Sequence, residues 1–135
     1  MSAFSSFFAF FARIFLAVLF VMSGWAKLNG FEGTVGYVAS NGLPVPQLFA
    51  ALTILVELGG GILLILGLFS RLAAFIMAGF VLLTIVLVHH FWTMTDPAAI
   101  ADNMMNAMKN LAIAGGLLMV TAFGPGAWAI GPGRD

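Results

Sequence analysis

The chain has 135 residues, of which 62% are hydrophobic and only 7% charged, and its formal net charge is zero at neutral pH. Soluble domains carry about 25% charged residues, so this composition excludes an ordinary water-facing surface, and a mean hydropathy of +1.12 indicates a polytopic membrane protein. The neutral balance excludes a basic tail for nucleic acid, and the lack of cysteine excludes disulfides, thiol redox chemistry and thiolate metal sites within the chain.

A spanning helix needs about 20 apolar residues. A chain of this length therefore has room for four of them, in one integral membrane domain over residues 1–135, and the predicted fold class is all-α, a transmembrane four-helix bundle. The first predicted helix covers about 4–26. It is read as a retained membrane helix rather than a signal peptide, because its first cation, Arg13, lies inside the apolar run and no A-x-A-like cleavage site follows. Trp25 and Lys27 close it as an aromatic and a snorkelling cation at an interface. The glycine-rich stretch 29–44 has room for a short interfacial helix near Thr34 to Ser40.

The second helix is predicted over about 46–69, with Pro44 and Pro46 at its start, where a missing N–H is harmless. Ser70 and Arg71 leave almost no loop before the third helix, about 72–91, which ends on "HHFW". Asp96 and Pro97 form an N-cap and N1 pair leading toward the fourth helix, about 105–123, which "GPG" at 124–126 stops. An even number of helices puts both termini on one side. Arg13, Arg71 and Arg134 fall on that side, against Lys27 and Lys109 on the other, so the positive-inside rule predicts both termini in the cytoplasm of a bacterial inner membrane.

The polar residues fall on stripes. At 100° per residue, Arg13, Ala17, Phe20, Gly24 and Lys27 share one face of the first helix. Glu57, Gly60, Gly61, Leu64 and Leu68 share one face of the second, with Arg71 nearly on it, and Asn106, Lys109, Asn110, Ile113 and Gly116 one face of the fourth. Such stripes should point inward, because a charge facing lipid costs at least about 2.5–3.5 kcal/mol. Counting depth at 1.5 Å per residue puts Arg13 roughly 12 Å, Glu57 roughly 18 Å and Lys109 roughly 21 Å from one membrane edge. The expectation is that these three charges meet near the bilayer centre, with Ser23, Asn106, Asn110 and His89 toward the outer side.

Two cations against one anion leave a positive polar pocket that suits a quinone carbonyl or a small anion. The competing reading is a structural ion-pair network that fixes helix register. The glycines Gly59, Gly60, Gly61 and Gly67, and the pair Ala112 and Gly116, read as sites of close helix contact. His89 and His90, with Met94, Met104, Met105 and Met108, carry ligand types that copper accepts, but an interfacial anchor and packing account for them, and no metal is assigned.

The segments "RIFLAVLFVMSGWAKL", "ELGGGILLILGLFSR" and "MKNLAIAGGLLMV", in that order and spacing, resemble the DoxX family of small four-helix bacterial membrane proteins. The resemblance covers about residues 11–123 and rests on Arg13, Ser23, Gly24, Lys27, Glu57, Gly60, Gly67, Arg71, Lys109 and Asn110. It implies a subunit or neighbour of a redox enzyme, with quinone as the ligand and redox-enzyme subunits or a second copy of the chain as partners in the lipid bilayer. Family members include a membrane subunit of thiosulfate:quinone oxidoreductase and components linked to oxidative stress. No dinucleotide-binding glycine fingerprint and no cross-helix pair of haem-type histidines is present. If the chain takes part in catalysis, it is as an oxidoreductase subunit rather than a self-contained enzyme. The alternatives are a small transporter or proton and anion pathway through the same charges, and a non-catalytic assembly factor.

Overall fold

A computed structural model describes residues 2–130, and Arg134, one of the three arginines behind the predicted orientation, lies outside them. The described chain is helical: α1 (Ala3–Asn29), α2 (Phe31–Ser40), α3 (Pro46–Ile54), a π-helical segment (Leu55–Gly59), α4 (Gly60–Leu66), α5 (Ser70–Leu87), a 3-10 turn (Phe91–Thr93) and α6 (Pro97–Phe123). The segments Ala3–Asn29, Pro46–Leu66 and Ser70–Thr93 are long and apolar enough to cross a membrane. The fourth long helix, α6, is 27 residues long.

Local chemistry sets the ends of these helices. Ser2 accepts a bond from the Ser5 amide and opens α1. Val45 sits in the left-handed region at φ 47°, and Pro46 begins α3. Gly67, at φ +75°, ends α4, where the Gly67 and Leu68 amides both bond the Leu63 carbonyl. This left-handed cap, followed by Phe69 at φ 48°, makes the tight reversal into α5. Asp96 caps α6 through the Ala99 amide at 3.0 Å, and Pro97 occupies its first turn. That cap therefore starts the helix itself, at Pro97 rather than near 105. The helix α5 ends at Leu87, before the two histidines.

The buried face of α1 is Arg13, Ala17, Phe20 and Gly24 of the predicted stripe, together with Ser6, and Lys27 lies half-buried at the end of the stripe. Glu57, Gly61 and Leu64 are buried on the second span. On α6 the outcome differs. Its buried residues are Ala107, Ala114, Leu117 and Val120, which pack on α5, and the polar stripe lies to one side of them. The core joins Ala17, Phe20 and Leu64 to Ala74, Met77, Ala78 and Val81 of α5. Small residues on α5 and α6 let these two helices lie close together, as expected where lipid gives helices no hydrophobic drive to associate.

Two glycines set the approach of α1 to the second span. A Cβ on Gly24 would lie 2.8 Å from the Leu58 nitrogen, and one on Gly61 would lie 2.7 Å from Val21 Cγ2 and 3.3 Å from the Ala17 carbonyl. Gly60 faces the Met77 sulfur, Gly116 faces Leu16, and Gly59 makes no close contact of this kind.

Candidate functional site

The charges do not meet as the depth count expects. Glu57 pairs with Lys27, whose Nζ donates to both carboxylate oxygens at 2.9 Å and to Ser23 Oγ, one turn back on α1, at 2.7 Å. Lys27 is thus drawn inward from its expected interfacial position. The reason lies in the second span. Leu55–Gly59 runs as a π-helix, whose wider turn places an extra residue in the helix and rotates Glu57 relative to the α-helical faces on either side. Such turns are frequent at functional sites.

Arg13 lies one half of the bundle away and is buried, with 1% of its surface exposed. Its guanidinium donates to the carbonyls of Pro125 and Trp128, the latter at 2.7 Å, with a longer contact to Ile65 O at 3.4 Å, and it lies over the Phe10 ring. These carbonyls belong to the end of α4 and to the chain that turns under the bundle after α6. The same segment is tied to α4 by the Ile130 amide on Leu66 O, and a Cβ on Gly67 would strike Ala129. Arg71 donates to the Thr121 and Ala122 carbonyls, the last turn of α6, where unpaired carbonyls and the helix dipole favour a cation. Both arginines therefore tie the end of α6, or the segment that follows it, to the neighbouring helices.

The opposite half contains a cavity of about 470 Å³ between α1, α2, α3, α5 and α6. Its polar surface includes Ser23, Lys27, Glu57, Lys109, Asn110 and His89, and its walls apolar residues such as Phe20, Val56, Phe80 and Ile113. Asn110 donates to Thr84 Oγ1 at 3.0 Å, and Thr84 in turn donates to the Val81 carbonyl. Lys109 lines the cavity, is exposed, and donates to Asn106 Oδ1 at 3.2 Å; no hydrogen bond or ion pair joins it to Glu57 or Arg13. The structure thus brings together Ser23, Lys27, Glu57, Lys109 and Asn110, sets Asn106 behind Lys109, and removes Arg13 from the group.

Sequence reasoning missed Thr84, although it is the one hydroxyl in α5 beyond Ser70, a signal that was there to be read. It also missed Thr34 and Tyr37 of α2 and Asn41 just after it, which line the cavity on the loop side. Nothing in their periodicity marks them, because α2 buries no residue. The histidines diverge. His89 Nδ1 lies 3.1 Å from Asn103 Oδ1, whereas His90 Nδ1 lies 2.6 Å from Thr93 Oγ1. Among the described residues, no three His, Cys, Asp or Glu side chains are grouped so as to hold a metal ion.

Comparison with known proteins agrees with this architecture. The chain is 42% identical over 116 residues to inner membrane protein YphA of Escherichia coli, covering 86% of this chain and 82% of that protein. It is 40% identical over 119 residues to inner membrane protein YqjF of the same organism, covering 88% and 85%. A more distant match, 33% identical over 66 residues and about half of each chain, is the Bacillus subtilis protein named "Putative oxidoreductase CatD". No solved structure matches. The DoxX family profile matches residues 8–90, more than half of the chain, with Arg13, Lys27 and Glu57 inside the matched region, and the protein belongs to the DoxX family.

Proposed function

We propose that this protein is the accessory, quinone-binding subunit of a membrane redox or oxidative-stress-linked complex. The observation that carries the reading is the cavity. Apolar walls of the right scale for a ring system converge on a few fixed polar groups, the usual construction of a small-molecule site. Lys27 is held by Ser23 and Glu57, and Asn110 by Thr84. Lys109 and the Asn110 amide are the donors placed to reach a carbonyl oxygen. Leu19, Leu52 and Leu83 line the cavity and are exposed on the outside of the bundle, which gives a ligand dissolved in the bilayer a route inward. The relative named as an oxidoreductase favours a redox role over a purely structural one.

With both termini cytoplasmic, the cavity opens in the outer half of the membrane and the two arginines lie in the inner half. A transport role is less well supported. The stripe between Lys27 and Arg13 is filled by Ala17 and Phe20, backed by Leu64 and Leu117, all buried and apolar, so no polar path joins the two ends. The test is purification in mild detergent, solvent extraction of the preparation for quinone, and titration of the protein with a short-chain ubiquinone followed by thermal unfolding. Co-purified quinone or saturable stabilisation is expected. A preparation free of quinone that also shows no response to the titration would overturn the reading.

A further inference from the structure

We infer that the cavity takes its ligand as a monoanion: an apolar ring bearing one ionised oxygen, such as a hydroxyquinone, rather than a neutral quinone. This deepens the quinone-site reading and rests on it. The charged side chains lining the cavity are Lys27, Glu57 and Lys109, with His89 and Tyr37 as its further titratable groups. Among the described residues, the one ion pair is Lys27 with Glu57, and it is closed on itself, with the ammonium also bound by Ser23. That pair contributes no net charge. Lys109 is the remaining charge, and its recorded partner is a neutral amide oxygen, Asn106 Oδ1.

The cavity therefore carries one uncompensated positive charge beside a neutral hydrogen-bonding wall formed by Asn110 and Thr84. Although Lys109 is exposed, the apolar walls beside it strengthen its attraction to an opposite charge over that in bulk water. A ligand anion within reach of the Lys109 ammonium would neutralise the site, whereas a neutral quinone would offer it only a carbonyl. The apolar walls exclude small inorganic anions, because these would lose their hydration without gaining contacts.

Three probes separate the outcomes, each titrated into the detergent-solubilised full chain at neutral pH. They are 2-hydroxy-1,4-naphthoquinone, which is ionised there, its neutral methyl ether, and decanoate, an ionised chain without a ring. The ionised naphthoquinone is expected to bind at least about tenfold more tightly than the ether, about 1.4 kcal/mol of preference. Lys109→Arg should keep that preference and Lys109→Met should remove it. Equal or tighter binding of the ether would overturn the monoanion inference and leave the quinone site standing. Binding of neither naphthoquinone would overturn both. Decanoate matching the ionised naphthoquinone would support the charge rule but assign the cavity to lipid-derived anions, overturning the quinone reading. The wild-type comparison alone decides between these outcomes if a Lys109 variant does not fold.

Discussion

The Lys27–Glu57 pair makes an asymmetric demand on stability. Two unit charges about 3 Å apart in an effective dielectric of about 20 attract by roughly 5 kcal/mol, and desolvation of both groups offsets much of this, leaving a net coupling of about 1–3 kcal/mol. The partners are not equally buried: the Lys27 side chain is 32% exposed and that of Glu57 9%. Lys27→Met therefore strands a carboxylate that is 9% exposed and loses its ion-pair partner, whereas Glu57→Gln leaves an ammonium on a long stem that can turn toward water or headgroups. The expected costs are about 3 kcal/mol for Lys27→Met and about 1 kcal/mol for Glu57→Gln. The double variant Lys27→Met/Glu57→Leu should recover most of the loss, because a buried pair replaced by apolar groups of similar volume is often neutral. Thermal unfolding of the four proteins in one mild detergent measures the cycle. If Glu57→Gln proves the more damaging change, or if the double variant loses the sum of the two single effects, then the pair is not the closed unit described above.

Arg13→Met removes the charged donor to the Pro125 and Trp128 carbonyls and should cost about 2–3 kcal/mol; Arg13→Lys, which lacks the fork, should rescue it only in part, and limited proteolysis should cut residues 124–130 faster in both, with wild-type resistance counting against the anchoring role. Gly61→Ala should destabilise by about 1–3 kcal/mol, because its Cβ would overlap Val21, whereas Gly115→Ala, which meets nothing within 4 Å, should be neutral or mildly stabilising; the same melting assay compares them, and equal effects would remove the close-contact explanation. A C-terminal fusion to a periplasm-active phosphatase should stay inactive, and strong activity would reverse the proposed orientation.

The sequence by itself determined the helical class, the approximate spans and the buried face of α1. Each follows from properties that a helix has alone: apolar length, caps such as Asp96 with Pro97, and the 100° step that aligns Arg13, Ala17, Phe20 and Gly24. It also marked Lys27, Glu57, Lys109 and Asn110 as polar groups that lipid would not tolerate. Which of them meet was decided only by the tertiary structure. A depth count treats each span as a straight α-helix at a common height, and on that count Arg13 lies within reach of Glu57. The π-helical turn rotates Glu57, and the contact of Gly24 with Leu58 and of Gly61 with Val21 fixes the stagger that puts Lys27 beside it. The partners of Arg13 are backbone carbonyls of Ile65, Pro125 and Trp128, groups that every residue type carries and no side-chain pattern can announce. On α6 the buried residues are Ala107, Ala114, Leu117 and Val120 rather than the polar stripe, and the small ones among them suit close packing against α5. The cavity is what remains between helices so arranged. Its existence depends on their relative rotation and spacing, which are properties of pairs of helices and are not written in the periodicity of any one of them.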